Sequence, residues 1–150
     1  MSANGTSLTE LYRQTVLNHS RNPHNCRRPA TFDREAEGHN ALCGDKIHVY
    51  LGLQADALSD VAWEASGCAI SLASASMMSD AVTGKTVAAT RQTIDDFMNG
   101  LSGPQGGKLA GELAALGGVR DYPSRIRCAT LPWQTLRAAL DAVQETVTTE

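Results

Sequence analysis

Two neighbouring segments of alternating apolar and polar residues constrain the fold of this chain more than any other feature. Residues 46–53 and residues 58–66 each place apolar side chains on one face of an extended strand. Only residues 54–57 join them, and parallel strands need a much longer crossover. The pair therefore predicts an antiparallel β-hairpin. The apolar positions are Ile47, Val49, Leu51 and Leu53 in the first segment, and Val61, Trp63 and Ala65 in the second.

Helical spacing of apolar residues predicts helices on both sides of this hairpin. The segment 68–82 is rich in Ala and Ser, so we expect this helix to lie close against the sheet. The last predicted helix carries one apolar stripe, formed by Trp133, Leu136, Leu140, Val143 and Val147. The predicted helices cover residues 8 to about 20, 68–82, 86 to about 99, 109–116 and the segment opened by Pro132, with caps at Thr6 or Ser7, at Thr86 and at Thr130.

The order of these elements predicts the fold class. Strands come first and helices afterwards, without regular alternation, which is typical of an α+β domain. Residues 31–41 are weakly patterned and suit an edge strand, so we expect a small antiparallel sheet of about three strands packed against several helices. No internal repeat is present, and we expect one domain over residues 1–150 with a flexible tail at 1–6.

Composition excludes several classes of function. The net charge is −3 and only 5% of the 150 residues are aromatic, which argues against a nucleic-acid-binding protein. The longest uncharged stretch, Ala65 to Ser79, is too short and too polar to cross a membrane. The first residues lack the pattern of a signal peptide, so we expect a cytoplasmic protein in which structural disulfides are disfavoured.

One short motif matches a nucleotide-binding site only in part. Gly84-Lys85-Thr86 matches the end of a phosphate-binding loop, but that motif requires glycine where Ser79 stands, and no strand leads into it. We interpret these residues as a turn that separates two helices.

The triplet Cys43-Gly44-Asp45 precedes a predicted strand. Its thiol and carboxylate are two residues apart around a flexible glycine, and they can converge on one ion. The alternative is a loop cysteine beside an aspartate that only solvates the turn.

Two further cysteines lie at predicted helix starts. Cys68 follows Gly67, where free backbone N–H groups and the helix dipole favour a thiolate. Cys128 lies between Arg127 and the predicted Thr130 cap. Such terminal positions favour ligands or reactive thiols over core packing, which is the alternative.

The remaining cysteine and the histidines give weaker signals. Cys26 lies in a polar loop beside two arginines that can depress its pKa, and we interpret it as an incidental exposed thiol. We interpret His19, His24 and His48 as surface residues, and His39 as a weak candidate ligand because it is near the first cysteine of the triplet.

If Cys43, Asp45, Cys68 and Cys128 gather, they form a set of three thiolates and one carboxylate that suits tetrahedral zinc. Arg125, Arg127 and Lys46 would offset the negative charge of such a site. A carboxylate among soft thiolates is the exchangeable ligand of the set, which indicates that another ligand enters or leaves the metal site.

Together these motifs resemble the IscU/NifU-N/SufU family of iron–sulfur cluster assembly proteins, and its SufU branch most closely. The resemblance covers nearly the whole chain, and its three main motifs occur in the family's order. They are Asn40–Asp45, Gly67–Ser71 running into Ala73–Met78, and Arg125–Trp133, with Leu11–Gln14 and Asn22-Pro23 nearer the start.

The resemblance implies an IscU-like fold with metal ligands Cys43, Asp45, Cys68 and Cys128, while Cys26 has no counterpart. The scaffold branch carries a histidine before the third cysteine, where this chain has Arg127, and the stretch from Cys68 to Cys128 is longer here by about a helix. Both departures are features of the SufU branch, whose members resemble zinc-dependent sulfur acceptors.

The resemblance implies three functional hypotheses. In the leading one, a PLP-dependent, SufS-like cysteine desulfurase passes persulfide sulfur to Cys43, and the sulfur continues to the downstream iron–sulfur assembly machinery. Zn²⁺ keeps the thiolates deprotonated. Arg125 stabilises charge at the site or binds the partner. The alternative is a scaffold that assembles a transient [2Fe-2S] cluster on the same four ligands. The third is a structural zinc domain that only binds a partner.

Overall fold

The computed structural model describes residues 8–102, 109, 111–142 and 146–148. In these residues four α-helices, one 3-10 helix and four strands form an α+β fold. The helices are α1 (Leu8–Arg21), α2 (Ala69–Val82), α3 (Val87–Ser102) and α4 (Pro123–Leu140), and the 3-10 helix is Gly111–Asp121. The strands are β1 (Arg34–Asn40), β2 (Asp45–Gln54), β3 (Ala57–Ser66) and β4 (Val147–Thr148).

The predicted hairpin forms the centre of the sheet, whose strand order is β3-β2-β1-β4. β2 pairs antiparallel with both neighbours, and its register places Val49 opposite Trp63. The alternating residues assigned to the core face are buried at Ile47, Val49 and Leu51. The hairpin prediction is therefore confirmed, and its hydrophobic face is the face that the helices cover.

The sheet differs from the predicted one in two ways. The segment expected at an edge is β1, an inner strand between β2 and β4. A two-residue strand, β4, follows α4 in the chain and pairs with β1 in parallel, so the sheet is mixed and has four strands rather than about three. Val147 lies in this strand and not on a helical stripe, because α4 ends at Leu140.

The helices pack on one face of the sheet. α4 lies on β1 and β2, α2 contacts β3, α4 and α1, and α1 packs on the outer side of α2. α4 approaches β1 so closely that a Cβ at Gly38 would overlap Thr135 Oγ1. The second turn of α4 reaches the end of β1, because Asn40 Nδ2 lies 3.9 Å from the sulfur of Cys128, and the turn containing Cys43 begins at this end.

The last long helix begins earlier than the sequence predicts. α4 starts at Pro123, and both Thr130 and Pro132 lie inside it. Proline at the first helical position is favourable, whereas an interior proline removes a backbone hydrogen bond. The expected Thr130 cap is therefore wrong, and Cys128 lies in the second turn of a helix rather than in front of one.

The other helices follow their predictions closely. α1 and α3 cover the expected segments, and the hydroxyl of Thr86 accepts the N–H of Ala89 as a cap does. Gly84, with φ +87°, ends the turn after α2, which agrees with a turn between two helices rather than a phosphate loop.

The predicted helix at 109–116 is instead the 3-10 helix that begins at Gly111. Residues 1–7, including the predicted cap and tail, and Val143 lie outside the described residues.

Among the described residues, no helix has the length and apolar composition needed to span a membrane.

Candidate metal centre

The turn between β1 and β2 carries the first thiol. Cys43 is half-buried in this turn, and Asp45, the first residue of β2, is completely buried. Gly44 between them has φ +73°, a left-handed conformation that glycine adopts without strain. The side chain of Asn40 accepts the Leu42 N–H at 3.2 Å and so holds the turn against the end of β1.

The register of the hairpin brings the second thiol to the same place. Lys46 pairs with Ser66, so the start of β2 lies beside the residues that follow β3. Cys68 is the N-cap residue of α2, and its backbone N–H donates to Asp45 Oδ1 at 2.9 Å. Its sulfur lies 4.0 Å from Asp45 Oδ2. The aspartate therefore satisfies one free N–H at the start of α2 while its second oxygen faces the thiol.

Gly67 makes room for this contact. A Cβ at this position would overlap Asp45 Oδ1 and press on the Asp45 backbone. Only glycine fits at position 67, because the buried Asp45 carboxylate occupies the volume that any side chain there needs.

The third thiol comes from α4. Cys128 is completely buried, and Asn40 Nδ2 lies 3.9 Å from its sulfur. Burial is the main cause that raises the pKa of the Cys128 thiol far above its ordinary value. Hydrogen bonds with Asp45 and Cys43 raise this pKa further, as do the charge of Cys68 and a hydrogen bond with it. Without a metal, Cys128 therefore keeps its proton, and a metal that binds here must displace it.

Three of the four residues that the sequence grouped as ligands lie together, and the fourth adjoins them. Cys43, Asp45 and Cys128 each offer one ligand atom, and these atoms lie within 4.8 Å of one another. Cys68 adjoins them through its contact with Asp45. Donors on a tetrahedral zinc are about 3.5 Å apart, given bonds of about 2.3 Å to sulfur and 2.0–2.2 Å to oxygen. Small side-chain movements would reach that spacing, and thiolates with one carboxylate are donors that zinc accepts, so the residues fit this ion.

Arg125 is the cation at this centre. It is exposed and lies one helical turn before Cys128 on α4. The negative charge of Cys68, followed by a hydrogen bond to Cys128, raises the pKa of the guanidinium. Arg127 and Lys46, which the sequence also suggested as neighbours, are exposed.

Two weaker candidates, His39 and Cys26, lie elsewhere. His39 is on the outer face of the sheet, opposite Lys46, because its neighbours Gly38 and Asn40 occupy the buried face. Cys26 is exposed, in agreement with its interpretation as an incidental exposed thiol. Partial burial of its sulfur and the charge of Glu64 raise its pKa, so the two neighbouring arginines do not activate it.

The surface interpretation of His19 is also wrong. Its side chain is only 4% exposed, and its two nitrogens contact Ser76 and Glu112. These partners are distant in sequence, so no local pattern reveals them. Asn40 was likewise missed as a neighbour of the thiols, although it opens the motif that contains Cys43.

Comparison with known proteins places this geometry in a family. The family described as NifU-like N terminal domain matches residues 11–145. The chain is 38% identical over 133 residues to "Zinc-dependent sulfurtransferase SufU" of Bacillus subtilis (strain 168), covering 87% of this chain and 89% of the relative. It is 35% identical over 137 residues to "Iron-sulfur cluster assembly scaffold protein IscU" of Streptococcus pyogenes serotype M1, covering 90% of this chain and 86% of the relative.

Solved structures agree with this placement. A putative iron–sulfur cluster assembly scaffold protein for the SUF system from Fervidobacterium islandicum superposes with a TM-score of 0.79 at 28% identity, covering 89% of this chain and 99% of the other. A NifU-like protein (N-terminal) from Brucella abortus superposes with a TM-score of 0.78 at 27% identity, covering 88% and 93%. The chain belongs to the NifU-like N-terminal domain family.

Proposed function

We propose that this protein is a zinc-dependent sulfurtransferase of iron–sulfur cluster assembly that accepts persulfide sulfur on Cys43. The observation that carries the proposal is the unequal accessibility of the thiols. Cys128 is completely buried in α4, whereas Cys43 and Cys68 are both partly exposed. Cys43 lies in a turn with open space around Gly44, while Cys68 is the N-cap residue of α2 and is held against the buried Asp45. An attacking thiol must meet the donor sulfur, so Cys43 is the better acceptor.

The proposed sulfur donor is a PLP-dependent cysteine desulfurase that carries a persulfide on its own cysteine. The Cys43 thiolate attacks the outer sulfur of that persulfide. A new S–S bond forms on Cys43 as the S–S bond of the donor breaks, and the donor cysteine leaves as a thiolate with the electron pair of the broken bond. One sulfur atom moves and no external oxidant or reductant is consumed.

The chain's own residues prepare this step. Asp45 fixes the start of α2 through the Cys68 N–H and keeps the turn of Cys43 beside the helix. The Arg125 guanidinium lies beside the thiols, where it stabilises the negative charge of the new persulfide. Zinc bound by Cys43, Asp45, Cys68 and Cys128 would keep the thiols deprotonated near neutral pH.

A scaffold function is the second candidate. It is favoured by the 35% identity to the Streptococcus pyogenes relative that is named an iron–sulfur cluster assembly scaffold. On that account the same four residues would hold a [2Fe-2S] cluster. The residue before Cys128 is Arg127, an exposed cation that offers no ligand atom to iron, and this favours the sulfurtransferase.

Anaerobic purification without added metal separates the two functions. We expect zinc and no acid-labile sulfide, and we expect attempted reconstitution with iron and sulfide to leave no stable cluster on the chain. Iron and acid-labile sulfide in equal amounts, retained through gel filtration, would instead identify a scaffold.

A further inference from the structure

A second group of metal-ligating side chains lies at the other end of α2. His19, His24 and Asp80 each offer one ligand atom, and these atoms lie within 4.8 Å of one another. Asp80 is twelve residues beyond Cys68, which corresponds to about 18 Å along a helix. This group is therefore separate from the thiol centre.

Both ring nitrogens of the buried His19 are held by other side chains. Its Nε2 lies 3.1 Å from Glu112 Oε2, and an ionised carboxylate only accepts hydrogen bonds, so Nε2 carries the proton. With the proton on Nε2, the lone pair of Nδ1 accepts the O–H of Ser76 at 2.7 Å, and an ion at Nδ1 would take the place of this hydrogen bond. An imidazole whose far N–H donates to a carboxylate is the arrangement found in metal-ligating histidines.

Ser76 shows which way this lone pair faces. Its hydroxyl also accepts the backbone N–H of His24 at 2.8 Å, and it lies one helical turn before Asp80 on α2. Nδ1 of His19 is therefore on the side of the ring that faces the other two ligands. The rings of His19 and His24 are 4.7 Å apart between centroids, which supports the same orientation.

The other two ligands are oriented yet open to solvent. His24 Nδ1 and Asp80 Oδ2 are 2.5 Å apart, and Asp80 Oδ1 accepts Asn25 Nδ2 at 3.2 Å. The side chains of His24 and Asp80 are 53% and 41% exposed, so an ion has a path of entry. Two donors on one tetrahedral zinc are about 3.3 Å apart. An entering ion would replace the hydrogen bond between these exposed side chains and move them apart by about 1 Å.

We propose that His19, His24 and Asp80 form a second transition-metal site that binds Zn(II), with water completing the coordination. Two imidazoles and a carboxylate suit borderline divalent ions. The bound ion joins the end of α1, the loop after it and α2, and so fixes the N-terminal segment on the far end of the helix that Cys68 begins. The proposal does not depend on the function of the thiol centre.

Metal titration of the full chain tests this site. Zinc content is measured after dialysis at a series of buffered free-zinc concentrations for the wild type, His24→Gln and Asp80→Asn. Both substitutions are at exposed positions, so the fold is preserved. The matched controls are His39→Gln on the outer face of the sheet and Asp96→Asn on α3. We expect the wild type and controls to bind one zinc per chain more than the two variants, whose affinity for that ion falls at least tenfold.

Cobalt identifies the ligands of that ion. Co(II) added to protein already filled with one zinc should give visible bands of nitrogen and oxygen coordination without the intense near-ultraviolet bands of cobalt thiolates. The proposal is overturned if His24→Gln and Asp80→Asn retain the wild-type zinc content at every concentration, or if the additional cobalt shows thiolate bands.

Discussion

Asp45 is the central residue of the candidate metal centre, and its position explains why residue 67 is a glycine. The carboxylate is completely buried, is within reach of the thiols, and accepts the N–H of Cys68. A buried charge needs partners of this kind, because an unpaired one costs several kcal/mol. Gly67 supplies the space in which this arrangement fits.

Gly67→Ala should therefore damage the centre. The new methyl group overlaps the Asp45 carboxylate, so we expect the free energy of unfolding to fall by about 1–3 kcal/mol. Zinc affinity should fall about tenfold or more, as is usual when the orientation of a ligand is disturbed. Chelator competition and thermal unfolding measure the two effects. Gly118→Ala is the matched control, since nothing lies near its Cβ position, and an equal loss in that variant would contradict the account.

Arg125 and Arg127 allow a matched test of local charge. Both are exposed on the first turns of α4. The charge of Cys68 and a hydrogen bond to Cys128 raise the pKa of Arg125, which lies one helical turn before Cys128, whereas Arg127 is about 100° around the helix from Cys128. We expect Arg125→Ala to slow persulfide formation up to about fivefold, the size typical of exposed charge contacts, and Arg127→Ala to leave the rate unchanged. Single-turnover kinetics with a desulfurase measure this difference, and equal rates in the two variants would assign Arg125 no role.

At the scale of elements, α2 shows how small side chains position the site. The hydroxyl of Ser74 donates to the Ala129 carbonyl at 2.5 Å and accepts Trp133 Nε1 at 3.0 Å. These bonds join α2 to the turn of α4 that carries Cys128. Ser71, one turn earlier, is also buried, but its hydroxyl has no hydrogen-bond partner within the described part of the chain.

The two serines should respond differently to alanine. Ser74→Ala leaves the Trp133 N–H and the Ala129 carbonyl without their partner, so we expect a loss of about 1–3 kcal/mol in unfolding free energy. Ser71→Ala removes a hydroxyl that was already unpaired and should change stability by less than about 0.5 kcal/mol. Denaturant unfolding measures both values, and a Ser71→Ala cost as large as that of Ser74→Ala would refute this view of α2.

The sequence predicts some elements well because their signals are local. Alternation alone determines β2 and β3, and the glycine before Cys68 marks the start of α2 correctly. The start of α4 was misplaced because Thr130-Pro132 imitates a helix beginning, while tertiary packing tolerates a proline inside the helix. Pro132 has no N–H, so the carbonyl of Cys128 lacks its usual helical donor.

Candidate ligands divide in the same way. Cys43, Asp45 and Cys68 stand beside turns and helix starts, and such positions are visible in a sequence. The pairing of His19 with Ser76 and Glu112 spans 57 and 93 residues, and only the folded chain reveals it. The short parallel strand β4 was likewise missed, since its partner β1 is more than a hundred residues away.

At the scale of the whole molecule, the sheet and α4 act as a frame for the thiols. β1 and β2 provide the turn of Cys43, β3 leads into Cys68, and α4 packs on β1 and β2 with Cys128 buried at the contact. The candidate ligands thus come from three separate parts of the chain. The frame buries Cys128, while the turn leaves Cys43 partly exposed.

Mass spectrometry of the persulfide tests this account most directly. The zinc-loaded protein is incubated with a PLP-dependent cysteine desulfurase and cysteine, then alkylated and digested. We predict a mass increase of one sulfur atom on the peptide that contains Cys43, and none in Cys43→Ala, whereas Cys26→Ala behaves as the wild type. A persulfide that persists in folded, zinc-loaded Cys43→Ala, or that forms first on Cys68 or Cys128, would contradict the central claim.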